Sequence, residues 1–274
     1  MFAIAVISLL GLSAITWMIS EPWRVMRRRK HITRQAFPKT WRAILKRRLP
    51  FFKSLPTDLQ LQLKKHIQVF INEKQFIGCD GFAITEEVKV TIAAQACLLL
   101  LNRHTNYFPK LKQILVYPSA FIVNNQHTNT DGVVSEKRNV LSGESWQTGK
   151  VVLSWANTLD GAAIPNDGNN VVIHEFAHQL DQEDGKANGA PILQNITDYK
   201  AWSSTLGDEF SKLQYCAAHQ LPSTFSYYGA TDPAEFFAVA TEVFFERPFD
   251  VYQQHKALYQ ELSHFYQLDP INWQ

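Results

Sequence analysis

One stretch, Val171–Asp181, constrains the chain most, because it places two histidines four residues apart within an apolar run. Residues four apart on an α-helix point the same way, so His174 and His178 could bind one Zn²⁺ from a single rigid element. Glu175 follows the first histidine and could take a proton from a metal-bound water. The pentapeptide His-Glu-x-x-His, here at 174–178, arises by chance in only about 1% of chains of this size. The stretch therefore predicts a helix that carries a metal site.

The third metal ligand is not evident from this motif alone. A catalytic zinc usually has three protein ligands and a water. In one known pattern, the third ligand is a histidine six residues after the second motif histidine, with a glycine midway between them. Here Asp181 and Asp184 occupy the glycine and histidine positions. Asp184 could itself be a ligand, although the turn that would return it normally depends on the missing glycine. The other completion uses a glutamate from a downstream helix, and the candidates are Glu209, Glu235, Glu242 and Glu246.

Two of these glutamates have competing interpretations. Glu235 lies in the first turn of a helix that Asp232 and Pro233 begin, where Asp-x-x-Glu also reads as a capping box. Glu242, seven residues later, could hold a ligand histidine in place by a hydrogen bond. A solvated helix position is the simpler interpretation of Glu242. The spacing alone leaves the third ligand open.

The first 20 residues contain no charged side chain and are rich in Ile, Leu, Ala, Phe and Val. On a helix they would rise about 30 Å, enough to cross a bilayer core. Basic residues follow at once, namely Arg24, Arg27, Arg28, Arg29 and Lys30. By the positive-inside rule we expect an inner-membrane anchor at residues 1–20 with the remaining chain in the cytoplasm. The alternatives are a cleaved signal peptide, an amphipathic surface helix and a soluble cytoplasmic protein.

Charge divides the chain into three parts. Residues 21–53 hold 12 of the 27 Lys and Arg residues and a single acid, whereas residues 54–274 carry a net charge of −9. We therefore expect a basic juxtamembrane segment at 21–54, a globular domain at 55–274 and no direct nucleic-acid binding by that domain. The three cysteines follow no Cys-x-x-Cys spacing, which argues against a disulfide framework and a cysteine-rich structural zinc.

The pattern of apolar residues predicts an α+β fold that is mostly helical with a small mixed sheet. Segments with helical patterns lie at 57–74, 85–101, 171–181, 196–219, 234–246 and 254–267. Short segments with strand composition lie at 114–117, 120–123 and 151–155. The last of these precedes the metal helix, so it is either an ordinary sheet strand or an edge strand to which a peptide substrate could pair.

Five motifs occur together in this chain. They are the Gly-Cys-x-Gly turn at 78–81, Val-Thr-Ile-Ala-Ala-Gln-Ala-Cys-Leu-Leu-Leu at 90–100, Ser-Gly-Glu-Ser-Trp-x-x-Gly-x-Val-Val-Leu-Ser-Trp at 142–155, the metal motif through Asp181, and Tyr-x-Ala-x-Asp-Pro-Ala-Glu-x-Phe-Ala-Val at 228–239. Together they resemble the MtfA (Mlc titration factor A) family of zinc metallopeptidases. The resemblance implies a zincin-like (gluzincin) catalytic domain similar to that of anthrax lethal factor. It also implies that His174, His178 and Glu235 bind one Zn²⁺.

The roles of the remaining site residues also follow from this resemblance. It implies that Glu175 is the general base and that Tyr228 assists the transition state, with Tyr227 as a rival by adjacency. We therefore expect a zinc peptidase acting on peptide or protein substrates, with an aminopeptidase-like mode as one form. The alternative is a regulatory module that sequesters a transcription repressor such as Mlc without cleaving it.

Overall fold

The computed structural model describes residues 2–128, 134–141, 143–146 and 149–273. Its helices are α1 (Phe2–Ile19), α2 (Glu21–Arg34), α3 (Lys39–Arg48), α4 (Thr57–Glu73), α5 (Glu86–Leu98), α6 (Trp155–Ala163), α7 (Val171–Asp181), α8 (Asp198–His219), α9 (Pro233–Glu246), α10 (Pro248–Gln254) and α11 (Lys256–Tyr266). Its strands are β1 (Gln75–Gly78), β2 (Gln113–Tyr117), β3 (Phe121–Thr128), β4 (Val134–Leu141), β5 (Gly143–Trp146) and β6 (Lys150–Ser154). The mostly helical α+β prediction is confirmed.

The main sheet is small and mixed, as the sequence predicts. Its strand order is β1-β2-β6-β5, in which the first three strands run parallel and β5 runs antiparallel to β6. Strands β3 and β4 form a separate antiparallel pair. The suggestion that residues 151–155 form an edge strand is wrong, because β6 pairs on both sides. Its Val151, Val152 and Leu153 are all buried, which is typical of an interior strand covered on both faces. The edge strand next to β6 is β5.

The core lies beneath the metal-motif helix and is built around α5. Every residue of α5 from Val90 to Leu98 is buried, so this helix runs through the interior as its apolar sequence predicts. Phe176 on the inner face of α7 packs against Phe70 and Phe108, with ring centroids 5.6 and 4.8 Å apart. These edge-on and tilted aromatic contacts fix α7 on the core and turn its opposite face outward.

Helices α2 and α3 pack on the domain through both charged and apolar side chains. The Arg29 guanidinium donates to both carboxylate oxygens of Glu73, each at 2.8 Å. Arg48 donates to Glu87 at 2.5 Å. Ile32 of α2 is buried at 8% exposure, so the basic segment contributes apolar surface to the core as well as charge.

The predicted transmembrane helix at residues 1–20 is not supported. Helix α1 comprises 18 residues, Phe2–Ile19, and Glu21 begins the next helix. Within the part of the chain that the structure describes, there is no helix with both the length and the apolar character needed to cross a membrane.

Candidate active site

Helix α7 presents the two motif histidines side by side. Asn170 caps its N-terminus, since the Asn170 side-chain oxygen accepts a hydrogen bond from the Ile173 amide at 3.1 Å. The His174 and His178 rings lie one turn apart with centroids 4.8 Å apart, and their Nε2 atoms are separated by 3.2 Å. Both imidazoles therefore direct a nitrogen to the same point, as the sequence predicts.

Helix α9 brings Glu235 to that point. Asp232 caps the helix by accepting hydrogen bonds from the Ala234 and Glu235 amides at 2.9 and 3.0 Å. The Glu235 carboxylate does not return to the cap but lies 3.0 Å from His174 Nε2 and 3.4 Å from His178 Nε2. The three candidate ligand atoms lie within 4.8 Å of one another, and this group could hold a metal ion.

The other candidates for the third ligand lie elsewhere. Glu209 binds His255 at 2.6 Å, and Glu246 accepts from the Gly168 amide at 3.0 Å. Asp184 accepts from the Lys186 amide at 2.9 Å, and Asp181 is buried with Oδ2 bonded to the Gly189 amide. The candidates Glu209, Glu246 and Asp184, and also Asp181, are therefore each engaged by a group other than the two motif histidines.

Electrostatics within the group favour a bound cation. Burial alone would raise the pKa of Glu235, but hydrogen bonds from His174 and His178 outweigh it and hold the pKa well below its usual range. Burial likewise would lower the pKa of His174, yet its hydrogen bonds to Glu235 and Glu242 raise that pKa well above its ordinary value. Carboxylates that stabilise positive charge at this point are the environment that a metal cation requires.

Glu175 has the properties of a general base. It is 4% exposed, and its Oε2 atom has no hydrogen-bond partner among the described residues. Burial raises the pKa of Glu175 to about 7, even though His174 and His178 draw it down. A carboxylate with a pKa near neutrality and a free oxygen can both accept and return a proton.

Glu242 holds His174 in place, so the solvated position favoured from sequence is wrong. Its Oε1 lies 2.8 Å from His174 Nδ1, and its Oε2 accepts from the Asn170 amide at 2.5 Å. Glu242 is only 7% exposed. Such a carboxylate fixes the tautomer and the orientation of a ligand histidine, leaving Nε2 free for a metal. The N-cap at the end of residues 167–170 is predictable from their polar side chains, whereas the hydrogen bond from the Asn170 amide to Glu242 is evident only in the folded structure.

The structure separates the two neighbouring tyrosines. The Tyr227 hydroxyl donates to the Leu221 carbonyl and closes its own loop. The Tyr228 ring lies 5.8 Å from the His174 ring, on the side of the candidate ligands. Burial and then the charge of Glu235 raise the pKa of Tyr228, so its hydroxyl remains protonated and able to donate.

A cleft of about 470 Å³ opens beside these residues. Its walls include His174, Glu175, Glu242 and Tyr228, together with residues of the loop between α6 and α7. A pair of helical histidines, a converging glutamate and a buried carboxylate at the wall of a cleft are the constituents of a metallopeptidase active site.

Comparison with known proteins identifies the family. The profile of the glucose-regulated metallo-peptidase M90 family matches residues 23–267. An uncharacterized protein of Synechocystis sp. is 43% identical over 271 residues, 98% of each chain. Mlc titration factor A of Cronobacter sakazakii is 30% identical over 257 residues, 93% of each chain. The same-named protein of Enterobacter sp. strain 638 is 32% identical over 226 residues, covering 81% of this chain and 84% of that one.

The chain belongs to the M90 metallopeptidase family, and the resemblance to Mlc titration factor A inferred from sequence motifs is confirmed. The match over residues 23–267 includes most of α2, all of α3 and most of the domain predicted at 55–274. The family relationship and the geometry of the site both indicate a metallopeptidase.

Proposed function

We propose that this protein is a zinc-dependent peptidase of gluzincin type, in which Glu175 activates the attacking water. The observation that carries the proposal is the convergence of His174, His178 and Glu235 on one point, with the free Oε2 of Glu175 at the adjacent cleft. The M90 family membership supports the same chemistry.

The donor set suits zinc. Two neutral imidazole nitrogens and one carboxylate oxygen match the usual ligands of a catalytic zinc site, which keeps a fourth position for water or substrate. His174 Nε2, His178 Nε2 and Glu235 Oε2 would hold the ion. A zinc ion bound there lowers the pKa of a bound water and polarises the scissile carbonyl.

The protein residues then supply proton transfer and charge stabilisation. Glu175 accepts the proton of the attacking water and delivers it to the leaving amine as the peptide bond breaks. The Tyr228 hydroxyl donates a hydrogen bond to the oxygen that becomes negative, a contribution worth ~3 kcal/mol at comparable sites. Glu242 keeps His174 oriented throughout, because its carboxylate is itself anchored by the Asn170 amide.

Strand β5 is the element to which we assign the peptide backbone of the substrate. It pairs with β6 on one side and is the last strand in the order of the main sheet. It also packs against α7, which carries the motif. An extended peptide added to this edge would lie in the sheet that packs against α7, the helix that carries the two histidines, and strand addition is a known mode of peptide recognition. This arrangement is the basis on which we propose a zincin-like fold.

An aminopeptidase-like mode is the narrower form of this proposal. It requires a carboxylate beside the candidate ligands to bind the α-ammonium group of the substrate. Asp181 and Asp184, which follow the motif, are engaged by the Gly189 and Lys186 amides. Cleavage of matched peptides with free and acetylated N-termini measures this mode directly, since an aminopeptidase does not act on the acetylated peptide.

Substitution Glu175→Gln tests the mechanism. The zinc content of the purified full chain should stay at one ion per chain, because Glu175 is not among the three candidate ligands. Cleavage of a fluorogenic peptide library should fall to the uncatalysed level, because an amide cannot accept the proton. Chelation should abolish wild-type activity, and added zinc should restore it. Residual Glu175→Gln activity close to wild type would refute the role of Glu175.

A second function, supported by the names of the relatives, is titration of a repressor such as Mlc. Under this proposal, the domain binds the repressor and removes it from its operator without cleavage. Binding should then survive Glu175→Gln. A pull-down of purified Mlc by the wild-type and Glu175→Gln proteins separates the two proposals, with equal capture supporting titration and no capture by either protein excluding it.

A further inference from the structure

The cleft beside the candidate metal ligands is strongly acidic. Besides the two motif residues His174 and Glu175, the charged residues of its walls are Asp160, Asp167 and Glu242. None of the described residues that form the walls is a lysine or an arginine. A concave site with low-dielectric walls and charges of one sign concentrates the opposite charge.

Two of these carboxylates remain available to a ligand. Glu242 is not one of them, because the contacts described above occupy both of its oxygens. Asp160 is exposed on α6, and its side chain makes no hydrogen bond or ion pair with the described part of the protein. Asp167 accepts from the Asn169 amide at 2.8 Å and also hydrogen-bonds the Glu246 carboxyl, yet it is exposed at the cleft wall.

A third feature is an unsatisfied carboxylate in the lining of the cleft. Glu175 is 96% buried, lines the cleft, and has an Oε2 atom without a partner in the described structure. The same cleft is therefore lined by the proposed general base and by the two available aspartates.

Nearby positive charge does not neutralise this wall. Arg247 approaches the Asp167-containing loop at Gly168, but its guanidinium donates to Asp250 at 2.7 Å. The positive N-terminus of α7 is partly satisfied by Asn170, whose side chain accepts from the Ile173 amide.

We propose that this cleft binds a cationic side chain of the substrate, lysine or arginine, beside the scissile bond, and that Asp160 and Asp167 select it. This inference rests on the proposed peptidase function. The apolar stem of such a side chain can lie along Val171 and Val239, which also line the cleft, while its charged end meets the aspartates. Asp160 and Asp167 are thus specificity-determining residues that take no part in proton transfer.

The test measures binding without hydrolysis. The Glu175→Gln full chain, loaded with zinc, is titrated with polyalanine peptides blocked at both ends, each carrying one lysine or one norleucine at a scanned position. We expect lysine to bind about ten-fold more tightly at one position, equivalent to about 1.4 kcal/mol, and the preference to weaken as salt is raised. Asp160→Asn and Asp167→Asn should each reduce the preference several-fold while leaving norleucine binding unchanged. Both substitutions keep side-chain shape, and the amide oxygen that Asp167→Asn retains can still accept from the Asn169 amide.

Asp58→Asn, the same change at an exposed position of α4, is the matched control and should leave the preference intact. Equal binding of lysine and norleucine peptides at every position would overturn the proposal. A gain in affinity seen only for peptides with a free α-amine would also overturn the proposal, because the cleft would then bind the N-terminus of the substrate. Cleavage of the same peptides by the wild type distinguishes failure of this inference from failure of the proposed peptidase function. Cleavage without a lysine preference refutes this inference alone, whereas a lysine preference in binding without any cleavage supports the cleft and refutes the peptidase.

Discussion

Substitution of Glu242 tests how the site is held together. In the wild type, Glu242 contacts His174 Nδ1 at 2.8 Å and the Asn170 amide at 2.5 Å. In Glu242→Gln, one side-chain atom becomes an N–H donor, so either His174 Nδ1–H or the Asn170 amide loses its acceptor. Loss of such a partner typically weakens metal binding 10- to 100-fold, or about 1.4 to 2.7 kcal/mol. We expect a decrease in zinc affinity of that size.

Glu246→Gln is the matched control one turn further along α9. Glu246 is also buried and also bonds Asn170, whose side-chain amide donates to the carboxyl at 3.0 Å. Its other oxygen accepts from the Gly168 amide, so both oxygens are engaged by groups other than the histidines. Burial raises the pKa of Glu246 to about 9, so this carboxyl is neutral at pH 7 and a neutral amide replaces it with little electrostatic change. We expect Glu246→Gln to lower the free energy of unfolding by ~1 kcal/mol through one lost hydrogen bond, with zinc affinity nearly unchanged.

The assay is competition for zinc with a chromophoric chelator, combined with thermal unfolding of the metal-free proteins. The two variants should differ in zinc affinity but lose similar stability. If Glu242→Gln binds zinc as tightly as the wild type, Glu242 does not position His174. If both variants lose zinc affinity equally, the loss comes from altered packing of α7 against α9 and not from the contact between Glu242 and His174.

Two further predictions concern the loop after α7 and the pH dependence. Gly189→Ala should lower the melting temperature and weaken zinc binding, because the new Cβ would lie 2.4 Å from the Pro233 carbonyl at the start of α9 and the residue has a φ of +74°. Gly207→Ala on α8, where a Cβ meets nothing within 4 Å, is its control and should be neutral or stabilising. Glu175 must be ionised to act as a base, and burial raises its pKa to about 7, so kcat/KM should rise with pH along an acid limb near or below that value. A bound cation moves this limb to lower pH. A kcat/KM that stays constant from about pH 8 down to the pH at which zinc dissociates would therefore refute the role of Glu175.

Local features of the site were readable from the sequence, whereas its long-range contacts were not. His174 and His178 could be placed on one helix face because four-residue spacing and an apolar flank are local properties. Glu235 lies 61 residues from His174, and only the family resemblance distinguished it from the other downstream glutamates. The choice between Tyr227 and Tyr228 likewise depends on which hydroxyl the Leu221 carbonyl engages, a contact made only in the folded loop.

The sheet shows the same limit. Residues of β6 form an apolar run that fits either an interior or an edge strand, and the distinction requires knowledge of its partners. The edge is provided by β5, a four-residue strand whose polar sequence, Gly-Glu-Ser-Trp, gives no strand signal on its own. Strand order is set by packing between distant segments, and propensity does not encode it.

The spacing of acidic residues along α9 nevertheless carries information about how this helix packs. Glu235, Glu242 and Glu246 are separated by seven and four residues, which places all three on one face of a helix. The remainder of α9 is almost wholly apolar and buried, with Phe236, Phe237, Phe244 and Phe245 among its side chains. A single acidic stripe on an otherwise buried helix must face polar partners, because an unpaired buried carboxylate is strongly destabilising. Those partners are His174 and Asn170 at the start of α7, so the stripe specifies which helix α9 must pack against and at which rotation. The same three carboxylates therefore set the packing of the two helices and the geometry of the candidate metal site.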